Sequence, residues 1–258
     1  MSHWGRATRA CLLAGTMLAF TSTTAFASGI ELAWNHCFGQ FGTQSVRTST
    51  CATNSGSQTM IASFRPPSGV TALEGVEVFI DVQVLGGVLP CWWNFAVGQV
   101  RNDQLAPLPV SPTDVNGDPL IHCDNHYFLE RGASGGGAMA VMGADWGRLR
   151  GIASIPAGTG MPVTAEAQYY GVGFRISNDL STPAGGCTGC LQAACFHLRL
   201  IQLYSIGQPD VVLQYPHPGS ENWITWQGDA QSTGCPAPHT PPLPVLPRTW
   251  GSIKSIYR

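Results

Sequence analysis

Between residues 76 and 84 the chain alternates with a period of two. Val76, Val78, Ile80, Val82 and Val84 fall on one face, and Glu77, Phe79, Asp81 and Gln83 on the other. Successive side chains of an extended strand point to opposite sides, so the pattern predicts a half-buried β-strand, for which β-branched residues are well suited. The same reading places Phe196, Leu198 and Leu200 opposite His197, Arg199 and Ile201. It also places Tyr170, Val172, Phe174 and Ile176 opposite Gly171, Gly173, Arg175 and Ser177. Weaker strand candidates cover 30–34, 59–64, 93–97, 138–142, 150–155 and 211–214. A sustained helical stripe with caps is missing until residues 249–257, where Thr249 can cap and Trp250, Ile253, Ile256 and Tyr257 recur at helical spacing. Parallel βαβ folds need crossover helices, which this pattern does not supply. The expected fold is all-β, a single antiparallel sandwich of about nine strands with a jelly-roll arrangement favoured.

Nine cysteines divide unevenly along the chain, with one, Cys11, inside an N-terminal stretch that reads as a secretory leader. Arg6 and Arg9 give it a positive start, residues 10–20 are apolar, and Ala25-Phe26-Ala27 is a small-residue cleavage site. The apolar run falls short of the roughly 20 residues a spanning helix needs. Residues 1–27 are therefore expected to be a signal peptide, and residues 28–258 an exported single domain, extracellular or periplasmic. Its eight cysteines are Cys37, Cys51, Cys91, Cys123, Cys187, Cys190, Cys195 and Cys235. An even number in an exported chain points to disulfides. Cys37 with Cys51 suits a local loop closure, Cys91 with Cys123 would span the middle loop, and Cys235 is the natural partner for one of the Cys187, Cys190, Cys195 cluster. Zinc or an iron–sulfur cluster could use the same thiolates, but the exported setting favours disulfides, and no cofactor is expected.

Removing the leader takes two of the 13 basic residues and none of the 15 acidic ones, leaving a formal net charge of −4. That excludes the basic stripe of a nucleic-acid binder. No later segment is long and apolar enough to read as transmembrane. The low charged content, 11%, suggests a sticky or self-assembling surface. Long loops are expected at 99–124 and 231–247, the second closing on a proline-rich stretch, 236–247, that should run extended. It leads to the 249–258 segment, which is expected to dock on the sandwich.

Three constellations could carry chemistry. His122-Cys-Asp124-Asn-His126 puts three metal-ligating types at i, i+2 and i+4, on one face of a strand; a polar loop tethered by Cys123 is the simpler account. Gly132-Ala-Ser134-Gly-Gly136 fits the G-x-S-x-G nucleophile pattern, which works only on a sharp strand-to-helix turn. The flanking sequence reads as strand, so Ser134 is a weak candidate for a hydrolase. Trp92, Trp93, Trp146, Trp223, Trp226, Tyr169 and Tyr170 form the third set. On a sandwich surface such rings stack on sugars; in the core they pack, and packing is the expectation for most of them.

Several segments together resemble a set of secreted bacterial proteins with no established function. They are Leu73-Glu-Gly-Val-Glu-Val-Phe-Ile-Asp81-Val-Gln83, Leu89-Pro-Cys-Trp92-Trp93-Asn-Phe95, Cys187-Thr-Gly-Cys190-Leu-Gln-Ala-Ala-Cys195, Trp226-Gln-Gly228 with Cys235-Pro236, and the closing Thr249-Trp250-Gly-Ser-Ile-Lys254-Ser-Ile-Tyr257-Arg258. The resemblance implies a secreted domain of its own type and carries over no catalytic residue. The functional expectation is a non-enzymatic surface-interaction or extracellular structural domain, with a glycan or another surface protein as partner. A secreted hydrolase or metal-dependent enzyme is the alternative.

Overall fold

In the computed structural model, the described residues are 28–84, 87–125, 132–165, 167–182 and 186–228. Twelve strands are formed among them: β1 (Gly29–Trp34), β2 (Val46–Arg47), β3 (Ser57–Arg65), β4 (Ala72–Val84), β5 (Leu105–Leu108), β6 (Ser134–Val141), β7 (Trp146–Ser154), β8 (Met161–Pro162), β9 (Tyr169–Ser177), β10 (Ala194–Ser205), β11 (Val211–Leu213) and β12 (Trp223–Trp226). A small sheet has the order β1-β3-β9-β5; a larger one runs β2-β12-β10-β4-β7-β6, with β11 on β10 and β8 on β4. Every pairing is antiparallel except the two-residue β2/β12 contact at the far edge. The chain changes sheets at every step from β1 to β6, and again between β8 and β9 and between β9 and β10. Helix among the described residues is limited to two 3₁₀ turns, Cys91–Trp93 and Asn102–Gln104.

The two sheets pack as a sandwich because each offers an apolar face. From β4, Val76, Val78, Ile80 and Val82 are fully buried, and they share one hydrophobic cluster with Met60, Ala62 and Phe64 of β3 and Val172, Phe174 and Ile176 of β9. Burying such side chains contributes roughly 1.5–3 kcal/mol each. Two predicted phases are corrected by bulges. Between Leu198 and Leu200 the β10 register against β4 slips by one residue, so Ile201 and Leu203 join the core in place of Leu200. Between Ala62 and Ser63 the partner on β9 jumps from Val172 to Tyr170, which turns Tyr170 to the outer face and Tyr169 to the core. One inserted residue flips every side chain beyond it.

One end of the core is aromatic. Of residues 93–97, predicted as strand, Trp93 instead closes the Cys91–Trp93 turn, which inserts Trp92 and Trp93 between the sheets, and the rest follow it. Trp92 lies edge-on to Trp93 with centroids 4.4 Å apart and stacks on Trp226 at 5.1 Å, while Trp93 meets Phe196 at 5.1 Å. The indole N–H groups of Trp34, Trp92 and Trp226 donate to Thr225 O, Ser181 Oγ and Cys190 O. Arg101, 0% exposed, lies 4.2 Å over the Trp92 ring and donates to Ser177 O. Burial lowers its pKa to about 10.

Three disulfides join Cys37 to Cys123, Cys51 to Cys190 and Cys91 to Cys187. Cys195 is disulfide-bonded as well. The expected pairs Cys37–Cys51 and Cys91–Cys123 are thus both replaced. Cys37 packs outside the small sheet while Cys51 joins the main core, so nearness in sequence put no sulfur near the other. The cysteine cluster does not pair internally: Cys187 and Cys190 reach back 96 and 139 residues. Closing loops of that length stabilises by roughly 4–5 kcal/mol each in the chain-entropy account. The leader, His126, Cys235, the proline-rich stretch and the closing segment with its expected helix lie outside the described residues.

Candidate functional site

The sequence candidates separate into those that the fold buries and those that it presents. Trp92, Trp93, Trp226 and Tyr170 are fully enclosed, and Tyr169 and Trp146 are nearly so. They offer no ring face on which a sugar could stack, and only Trp223 is half-buried. Packing between sheets, and the indole hydrogen bonds above, account for them. Ser134 opens β6 in extended conformation, opposite Ser154 of β7, with no strand-to-helix turn. Its glycine neighbours have a packing explanation, since a Cβ on Gly135 would sit 2.0 Å from Ile152 O and 2.7 Å from Pro109 Cβ. Ser134 therefore stands on a strand and not on the strand-to-helix turn that the nucleophile pattern calls for.

Carboxylates on the outer face of the large sheet are similarly committed. Asp81 accepts from Arg148 Nε and Nη2 at 2.6 and 3.0 Å and lies 3.5 Å from Arg199 Nε. Glu77 pairs with Arg150 and accepts from Tyr204 Oη at 2.6 Å. Burial, then Glu77, holds the Tyr204 phenol well above its ordinary range. Carboxylates clamped by guanidinium groups keep a compact polar face.

His122 and Asp124 are presented, in a different company from the one expected. The Cys37–Cys123 disulfide fastens two loops over the outer face of the small sheet, with Cys37 packed against Ile61, Ile121 and Tyr170. The Tyr170 hydroxyl donates to Leu108 O at 2.6 Å and accepts from Gly173 N–H at 2.9 Å. Burial raises its pKa far above the ordinary range. The first loop is also tied from beneath, because Gln168 Nε2 donates both to buried Glu31 and to Phe38 O. The second is tied through Tyr170 N–H to Asn125 O, 2.9 Å.

On this frame the His36 and His122 rings stack with centroids 4.5 Å apart and planes at 31°. His122 N–H donates to His36 Nδ1 at 3.0 Å, and Cys37 N–H to His122 O at 2.9 Å. An accepting Nδ1 means a neutral His36 carrying its proton on Nε2. Its pKa is lowered, first by burial and second by the neighbouring His122. Gly42, at φ +84°, closes the turn beside this ring, where a Cβ would come within 2.9 Å of it. Gln40 Nε2 donates to Asp124 Oδ1 at 2.6 Å. A cavity of about 450 Å³ opens between Gln40, Phe41, Pro119, Ile121, His122 and Cys123. Phe41, on its rim, is 90% exposed.

His122 and Asp124 meet residues other than those the i, i+2, i+4 spacing offered. Their partners are His36 and Gln40, and His126 lies outside the described residues. Among the described residues no three His, Cys, Asp or Glu side chains come together in a metal-binding group. Nothing in local spacing marks His36, Gln40 or Phe41; only the pairing of Cys37 with Cys123, 86 residues apart, could have pointed to them. No family model matches the chain, and comparisons with curated proteins and with solved structures find none similar to it.

Proposed function

We propose that this chain is an exported, non-enzymatic interaction domain that holds its partner at the Phe41 loops. One observation carries the reading: a phenylalanine 90% exposed on a loop fastened by a disulfide and by a buried carboxylate–amide contact. A large apolar ring in water is unfavourable unless something covers it. The rigid frame lowers the conformational cost of binding, because the loop is ordered in advance. Beside the ring, Gln40, Asp124 and His122 supply donors and acceptors at a cavity mouth, the mixture that small-ligand and sugar sites use. A glycan is accordingly the first ligand class to test, and a surface protein the second.

The disulfides suit an oxidising compartment, and no helix among the described residues is long and apolar enough to cross a membrane. Both fit the export read from the leader, and the resemblance to secreted bacterial proteins agrees. The test is a glycan array followed by calorimetry on the mature chain, beside Phe41→Ala. Binding that Phe41→Ala abolishes supports the reading. Binding that Phe41→Ala leaves intact would move the site elsewhere, and turnover in a hydrolase panel would overturn the non-enzymatic assignment.

A further inference from the structure

The large sheet ends on β6, and that edge differs from the other three sheet edges. The free side of β1 is closed by the chain itself, since Ile30 and Leu32 N–H groups donate to Tyr215 O and Glu221 O at 2.9 Å, and Trp34 N–H to Gln44 O at 2.8 Å. At the opposite edge of that sheet, β5 is four residues long and carries Pro107. β2 is two residues. β6 is eight, Ser-Gly-Gly-Gly-Ala-Met-Ala-Val, with no charge and no proline, and its residues are largely exposed. Among the described residues only Ala96 bridges to its outer side, at Met139. Apolar side chains continue the surface: Val141 and Met142 are half exposed, and Val97, next to that bridge, is 80% exposed. Proteins ordinarily blunt such an edge with a lysine, a proline, a bulge or a cover, and three of the four edges here are blunted.

We propose that β6 is an interface, and that over residues 134–138 it pairs antiparallel with β6 of a second copy of this chain across a two-fold axis. A second copy fits better than a foreign peptide for two reasons. The strand is its own complement, because an uncharged run brings no like charges together when paired with itself. A two-fold pairing also satisfies both open edges at once and leaves none to propagate, which a head-to-tail contact would not. Val97, Val141 and Met142 then lie at the flanks of the joined sheet. The surface shares no residue with the Phe41 loops and does not depend on the reading given for them.

Sedimentation of the mature chain over a concentration series, with amide hydrogen exchange on the same samples, tests this. A monomer–dimer equilibrium is expected, with amides of residues 134–138 slowing as dimer accumulates. Ala138→Lys places a charge on the exposed edge and should weaken the dimer at least about tenfold, about 1.4 kcal/mol, with the melting temperature of the monomer unchanged. A chain that stays monomeric at every concentration overturns the proposal. So does a dimer whose β6 amides exchange as fast as the monomer's, and so does one that Ala138→Lys leaves intact. Should that variant not fold, the exchange pattern of the unaltered chain decides. Protection of β6 that appears only on adding a different protein would assign the edge to strand addition by that protein, and would refute self-pairing.

Discussion

Aromatic rings occur in two settings in this molecule. Trp34, Trp92, Trp93 and Trp226 interlock between the sheets, and three of the four have their indole N–H bonded to an acceptor. Phe41 stands in water on a loop above the small sheet. In the first setting a ring gains from every neighbour it touches, so the residue type conspicuous in the sequence is spent on stability. In the second setting the ring gains nothing from the fold, and the fold still holds it in place. Apolar surface that a rigid scaffold keeps exposed is better evidence of binding than abundance of tryptophan.

The sharpest way to break this contrast is to truncate one ring of each kind. Trp92→Ala removes a fully buried ring, uncovers Arg101 and takes away the indole donor that the Ser181 hydroxyl accepts from. Its expected cost is about 3–5 kcal/mol, read by denaturant unfolding. Phe41→Ala should change stability by no more than about 0.5 kcal/mol, as for surface substitutions generally. Comparable losses for the two would mean that Phe41 belongs to the core, and the contrast would fail.

A smaller effect separates the disulfides. Replacing Cys51 and Cys190 by alanine should cost roughly 2–5 kcal/mol, because that bond ties the loop after β2 to the turn whose Cys190 carbonyl accepts from Trp226. The pattern of ligand binding should survive wherever the variant stays folded. Replacing Cys37 and Cys123 should cost no more, yet it also releases the His36 and His122 loops from each other. Binding lost in the second variant and kept in the first is the expected result; equal losses would show that the loops are held by something other than their disulfide.

The alternation over 76–84 was legible because β4 keeps one phase from Val76 to Val84, with its apolar face inward over that stretch; its irregularity lies earlier, between Leu73 and Gly75. β10 and β9 misled because the residues that reset them, at Arg199 and Gly171, look like any other strand residue. The short strands β2, β5, β8 and β12 escaped since two to four residues show no period; β5 falls inside what the composition suggested was one long loop. Trp93 and its successors read as strand because an apolar run alone cannot distinguish a strand from a turn plugged into a core. At the candidate site, His122 and Asp124 were visible as a polar cluster. His36, Gln40 and Phe41 were not, because their meeting depends on a disulfide across 86 residues, and connectivity is a property of the fold.

The smallest effect concerns pH, and it sharpens the contrast from the side of the loops. His36 keeps its Nδ1 as an acceptor for His122 N–H only while the ring is neutral, and its folded pKa lies below the ordinary 6.5. The unfolded chain therefore binds a proton at this residue more readily than the folded chain does. By linkage, the stability that His36 contributes is fully present above about pH 6.5 and declines as pH falls towards the lowered value. His197, on the large sheet, is shifted the same way, mainly by burial and then by Arg199, so the whole molecule should lose stability over that interval for two reasons. His36→Asn isolates one of them, because its side-chain oxygen can accept the His122 N–H and carries no proton to gain. The expected outcome is a shallower fall in melting temperature between pH 7 and pH 5 than in the unaltered chain, with ligand binding retained at the acid end. An unchanged slope would show that protonation of His36 does not contribute to the acid sensitivity of the fold.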